Sequence, residues 1–195
     1  MLNRRDMGFI DGSNFVRQLA KKLDVRDLRS DKPPLPSVMG LAKRLFSGGP
    51  FFQGGHIRVR TYWFGSYVGS DETFDNYSSQ VRDAGFEPRL FKQYSDGREK
   101  GVDLGLAKDV LVNAFHHNFD RAVLVAGDAD YVELVFEAKR YGAVIDGEFF
   151  ADGVSPRLRI AFEHFEVLDK RLNPEEWDDL ARRVGEEVHA ARNEG

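Results

Sequence analysis

Four aspartates stand where apolar segments end, at positions where folding alone asks for no charge. Asp11 closes the run Gly8-Phe9-Ile10 and opens Asp11-Gly12-Ser13-Asn14. Asp128 and Asp130 follow the apolar stretch Ala122 to Ala126 as Gly127-Asp128-Ala129-Asp130-Tyr131. Asp103 lies near the start of a helical segment, Val102 to Phe115. Carboxylates gathered in one place raise one another's pKa values unless a cation intervenes. Magnesium and manganese take such hard oxygen ligands. Ions held this way activate water and stabilise a phosphodiester leaving group. The four acids together therefore point to phosphoryl chemistry.

Each aspartate also has a plainer reading. On a helical wheel at about 100° per residue, Ala107, Val110 and Ala114 fall within roughly 40° of Asp103. That places Asp103 on the core-facing stripe, whereas an aspartate that merely serves the helix dipole can face solvent. Asp130 precedes a helix with Glu133 three residues later, the pattern of an N-cap and its capping-box partner. Asp11 can support an Asx turn with Ser13 or Asn14. Asp128, after a strand and a glycine, has the weakest structural explanation.

Strand-like and helix-like segments alternate along the chain. Phe9-Ile10, Ile57 to Phe64, Glu87 to Gln93, Arg121 to Ala126, Ala143 to Phe150 and the short run Phe165 to Leu168 read as strands. Asn14 to Leu23, Val38 to Phe46, Thr73 to Ala84, Val102 to Phe115, Tyr131 to Tyr141, Arg157 to His164 and Pro174 to Ala191 read as helices. Residues 24–37, with Pro33-Pro34-Leu35-Pro36, form a loop, and residues 94–101 a charged one. The alternation predicts an α/β three-layer sandwich, a central mostly parallel sheet flanked by helices. Ligands of such sheets bind beyond the carboxyl ends of the strands at the topological switch point. Asp11 and Asp128 both follow a strand's carboxyl end.

The 195 residues suffice for one domain with a sizeable core. With no cysteine there is no disulfide, thiolate metal site or cysteine nucleophile. No apolar run approaches the ~20 residues of a membrane span, and the N-terminus lacks a signal-peptide core, so no membrane partner and a cytoplasmic location are expected. The net charge of −4 is unevenly spread. Residues 1–100 hold 17 Lys and Arg against 12 Asp and Glu; residues 101–195 hold 11 against 20. A basic half suits a polyanion and an acidic half suits cations, although solvated surface charge explains the pattern equally well. Arg17, Lys21, Lys22, Arg44 and Arg98 are candidates for a phosphate track, as are Arg58 and Arg60 on a strand. Histidines are scattered, and His116-His117 point in different directions on a helix end.

At the acidic motifs the chain resembles the NYN family of PIN-like (FEN-like) metal-dependent nucleases. Asp11-Gly12-Ser13-Asn14 matches its opening Asp-Gly-x-Asn, and Lys100-Gly101-Val102-Asp103 its Lys-Gly-x-Asp at a helix start. Ala126-Gly127-Asp128-Ala129-Asp130-Tyr131 matches Ser-Gly-Asp-x-Asp-Phe. Ser155-Pro156-Arg157-Leu158 resembles a later Ser-x-x-Leu element. The likeness runs collinearly over residues 7–169 and leaves 170–195 as a C-terminal helical extension. It implies a PIN-like fold in which the strands bearing Asp11 and Asp128 are neighbours. It also implies a ribonuclease dependent on Mg2+ or Mn2+ that hydrolyses RNA through a metal-activated water. Carried over by position, Asp11, Asp103, Asp128 and Asp130 are metal ligands, direct or through water, and catalytic residues. Asn14 orients a ligand or the scissile phosphate, Ser13 shapes the turn, and Lys100 and Arg17 contact RNA. A homo-oligomer or a regulatory protein partner is compatible with the family.

The chain departs from the pattern at Ala126, in place of serine, and at Tyr131, in place of phenylalanine, both mild changes. The strand after the last acidic motif carries Asp146, Gly147 and Glu148, where the family is usually apolar. Glu163 stands where relatives often have aspartate. The main alternative is a non-catalytic RNA-binding or protein-interaction module that keeps the fold. Haloacid dehalogenase-like phosphatases need Asp-x-Asp at the first motif, but Phe9 and Ser13 flank Asp11 at those positions. Glycosyltransferases with Asp-x-Asp give no account of Asp11 or Asp103.

Overall fold

A computed structural model describes residues 4–46, 56–93 and 101–193. Its centre is a sheet of six strands: β1 (Arg4–Asp11), β2 (His56–Tyr67), β3 (Glu87–Lys92), β4 (Arg121–Val125), β5 (Val144–Phe149) and β6 (Phe165–Val167). Their order is β3-β2-β1-β4-β5-β6, and every adjacent pair is parallel. Seven α-helices flank the sheet among the described residues: α1 (Gly12–Lys22), α2 (Pro36–Phe46), α3 (Asp71–Asp83), α4 (Val102–Phe115), α5 (Val132–Arg140), α6 (Pro156–Ala161) and α7 (Pro174–Asn193). This is the expected three-layer α/β sandwich.

Parallel strands are covered on both faces, so they read as nearly continuous apolar runs. β1 and β4 do so, with Met7, Phe9, Ile10 and Ala122 to Val125 all buried. Alternate residues feed two separate cores. Phe9, Tyr62, Phe64 and Leu124 pack with Leu106 and Val110 of α4, Val135 of α5 and Leu158 of α6. Ile10, Trp63 and Val125 pack with Phe15, Val16 and Leu19 of α1, Val38 of α2, Val81 of α3 and Leu180 and Val184 of α7. Helices α1, α2, α3 and α7 therefore cover one face, and α4, α5 and α6 the other.

The chain winds outward from β1 through β2 to β3, returns to β4 beside β1, and winds the other way to β6. The switch point is the crevice between the ends of β1 and β4. Asp11 is the last residue of β1, and Gly127-Asp128 follow β4 by one residue.

Three readings from the sequence need correction. Asp103 is exposed; the buried stripe of α4 keeps Val110 and Ala114 but begins with Val102 and Leu106 in place of Asp103 and Ala107. Asp130 does not cap α5. A 3-10 turn over Ala129–Tyr131 precedes that helix, and Asp128 caps it by accepting from the Asp130 N–H at 3.2 Å. The helix read as Arg157 to His164 ends at Ala161.

Candidate functional site

Asp11 joins a strand to a helix and is buried at 1% exposure. As the N-cap of α1 its Oδ1 accepts the Asn14 N–H at 2.9 Å, satisfying one of the helix's orphan donors. The turn admits only glycine next: a Cβ on Gly12 would lie 2.3 Å from the Trp63 indole. Asn14 then spans the switch point, its Oδ1 accepting the Gly127 N–H at 3.2 Å. That bond ties the Asp-Gly-Ser-Asn turn to the Gly-Asp-Ala-Asp loop across 113 residues of sequence. Ser13 is buried with its Oγ 3.4 Å from the Ser66 Oγ, where it shapes the turn.

Asp103 reaches the same place from the first turn of α4. Its helix begins at Gly101, whose φ of +122° suits glycine, and whose missing Cβ leaves room for Phe91. Although Asp103 is exposed, its Oδ1 lies 2.8 Å from the Tyr131 hydroxyl. The same hydroxyl lies 2.9 Å from Asp11 Oδ2. The Tyr131 ring is buried within the apolar core under α4 and α5, and its oxygen alone touches the two acids.

Burial pushes the Asp11 carboxyl up to about 6, against the pull of the Asn14 N–H and the Tyr131 hydroxyl. The Asp103 charge pushes it the same way, and Arg17 exerts the weakest of these influences. Burial and then the two carboxylates raise the Tyr131 phenol, so it stays protonated. One phenol carries one proton and donates it to one acceptor at a time. With both acids ionised, the phenol proton answers one carboxylate oxygen and the other faces a phenol lone pair.

Asp11 and Asp103 are thus brought to one shared point; Asp128 and Asp130 sit exposed on the loop that carries Tyr131. No group of three or more His, Cys, Asp or Glu side chains converges among the described residues. The donors that do meet are all oxygen, which suits a hard divalent cation rather than a soft one. Arg17 is exposed on the first turns of α1. Lys22 and Arg44 are held by carboxylates of the chain itself, Lys22 by Asp169 at 2.5 Å and Arg44 by Glu176 at 2.6 Å. Lys100 and Arg98 lie outside the described residues. Of Trp63, Phe64, Phe149 and Phe150, all are core residues.

Sequence reasoning missed the role of Tyr131. The signal was there, a tyrosine in place of the motif phenylalanine, but one added oxygen gains meaning only once its neighbours are known.

Residues 7–169 match the NYN domain. The chain belongs to the NYN family. NYN domains are of the nuclease type, which agrees with carboxylates gathered at the switch point of a parallel sheet. No curated protein matches the chain in sequence. Among solved structures it resembles a Vibrio parahaemolyticus protein of unknown function, at TM-score 0.60 and 19% identity over 86% of this chain and 94% of that one. That likeness shows a shared fold. A short-chain dehydrogenase/reductase from Serratia marcescens overlaps at TM-score 0.32 and 16% identity, over 93% of this chain and 71% of that one, too loosely to carry an argument. For a NYN domain with these residues, no helix among those described is long and apolar enough to cross a membrane.

Proposed function

We propose that this NYN domain is a divalent-metal-dependent ribonuclease. The observation that carries the reading is the meeting of Asp11, from the end of β1, and Asp103, from the first turn of α4, at one hydroxyl beside the β1–β4 switch point. A buried carboxylate beside a second acid, with one phenol proton between them, calls for a cation, and oxygen donors select Mg2+ or Mn2+. Asp11 and Asp103 would hold the ion, with Asp128 and Asp130 reaching it directly or through water from the rim. When bound, such an ion activates a water and stabilises the oxyanion leaving a phosphodiester.

The chain's own residues do the rest. Asn14 locks the two acidic loops together, so the carboxylates cannot drift apart as an RNA strand binds. Asp11, fixed by its capping bond, cannot rotate away from the crevice. Arg17 and Lys100 offer cationic contacts to the phosphate backbone, the sequence-independent part of nucleic-acid affinity. We assign the activity to residues 1–169 and take the rest as an extension, of which α7 packs on α2 and completes one core.

The test is cleavage of labelled single-stranded and structured RNA by wild type, D11N and D128N, with Mn2+ or Mg2+ and with EDTA. We expect D11N to lose 100-fold or more, the order of effect found when a group acting on the transition state is removed. EDTA should abolish wild-type cleavage. Equal turnover in all samples would overturn the assigned site. RNA binding without metal-dependent cleavage would favour the non-catalytic module, the reading that the absence of a third converging acid among the described residues supports.

A further inference from the structure

We propose that the Tyr131 hydroxyl is a removable stand-in for the cation, holding Asp11 and Asp103 in the metal-free chain and competing with metal for the same two oxygens. The inference rests on the metal-dependent reading above and adds a residue that reading does not use.

The geometry sets up the competition. The phenol oxygen is 2.9 Å from Asp11 Oδ2 and 2.8 Å from Asp103 Oδ1, so the hydroxyl is already engaged with one oxygen of each acid. A hard cation would be drawn to those same oxygens. Its binding there would compete with the hydroxyl's hydrogen bond for carboxylate lone pairs. Phenylalanine would pack the same ring in the same apolar core, so the hydroxyl adds only these two contacts. Tyr131 also sits at the junction of the 3-10 turn and α5, directly after Asp130. Tyr131 is a positioning residue here, acting on metal ligands and not on RNA.

The deciding measurement is Mn2+ binding by calorimetry to the full chain, wild type against Y131F, with D11N as control. Removing the competing hydroxyl should tighten Mn2+ binding by about five- to tenfold, the worth of one net hydrogen bond. It should also enlarge the rise in melting temperature that Mn2+ produces. A merely structural tyrosine would leave the affinity unchanged or weaken it, and either result overturns the proposal while leaving the metal reading intact. A second measurement needs no substitution that costs the fold: 3-fluorotyrosine placed at position 131 alone and titrated with Mg2+. Its fluorine resonance should move to a new position at saturation; a resonance that stays still while Mg2+ binds overturns the proposal. If neither wild type nor Y131F binds Mn2+, or D11N binds it as wild type does, the metal reading itself fails and this inference fails with it.

Discussion

Two acidic groups lie at or against this one sheet, and they are neutralised differently. At the switch point, Asp11 and Asp103 share a single phenol proton. Elsewhere on the sheet, Asp6 of β1 and Asp146 and Glu148 of β5 are each 2% exposed or less, yet arginines hold them. Arg121 reaches Asp146 at 2.5 Å and Asp6 at 3.7 Å, and Arg171 joins Glu148 at 2.5 Å to Glu166 at 2.6 Å. His164 adds its backbone N–H to Asp146 at 3.1 Å. Acids answered by arginine are spent on structure. The switch-point acids are answered by a neutral hydroxyl instead, the arrangement on which the proposed cation site rests. The unusual charges of β5 are thus architecture, and their presence in a normally apolar strand takes nothing from the switch-point site.

The contrast can be broken at the arginine group. Arg121→Met should leave Asp6 and Asp146 buried without their main partner and cost about 4 kcal/mol, as breaking a buried ion pair does. Urea unfolding would measure this, and metal-dependent cleavage by the folded fraction should persist. If Arg121→Met abolished cleavage without loss of stability, the two acidic groups would not be separate in role.

A smaller effect concerns pH. Burial drives the Glu148 carboxyl up to about 8, while Arg171 draws it down. A carboxyl whose folded value lies above its unfolded one binds its proton more tightly when folded. Its contribution is fully present below pH 4.5 and is lost as pH rises through about 8. Stability should therefore fall across that window by up to about 1.4 kcal/mol per pH unit. Glu148→Gln should flatten the fall, and melting temperatures taken from pH 5 to 8 would detect it.

The smallest expected effect is at the surface. Asp169→Asn, which weakens the pair with the partly exposed Lys22, should cost less than about 1 kcal/mol and less still in high salt. A larger loss would mean that partly exposed pairs in this chain behave like the buried arginine group.

Much of this was legible in the sequence. The strands announced themselves by apolar runs, and Asp11 by its place after one of them. Asp-Gly-Ser-Asn foretold the turn that the Asp11–Asn14 bond now forms. Periodicity failed at Asp103 because Val102 and Ala107 both suit a buried stripe, and only packing against the sheet chooses between them. The capping pattern failed at Asp130 because a 3-10 turn intervenes and moves the cap two residues upstream. The arginine pairs of Asp146 and Glu148 stayed hidden because they span 25 and 23 residues of sequence, and local patterns do not register such distances.

The last helix has a consequence for how the protein comes into being. Leu180 and Val184 share a core with Phe15 and Val16, Trp177 lies against Phe150, and Glu187 accepts from the Ser37 hydroxyl at 2.6 Å. The face of the sheet behind Asp11 therefore stays partly uncovered until synthesis has passed residue 184. The β1–β4 crevice thus gains its rigid backing only after the residues of α7 have been made, so a nascent chain that stops short of them cannot assemble it.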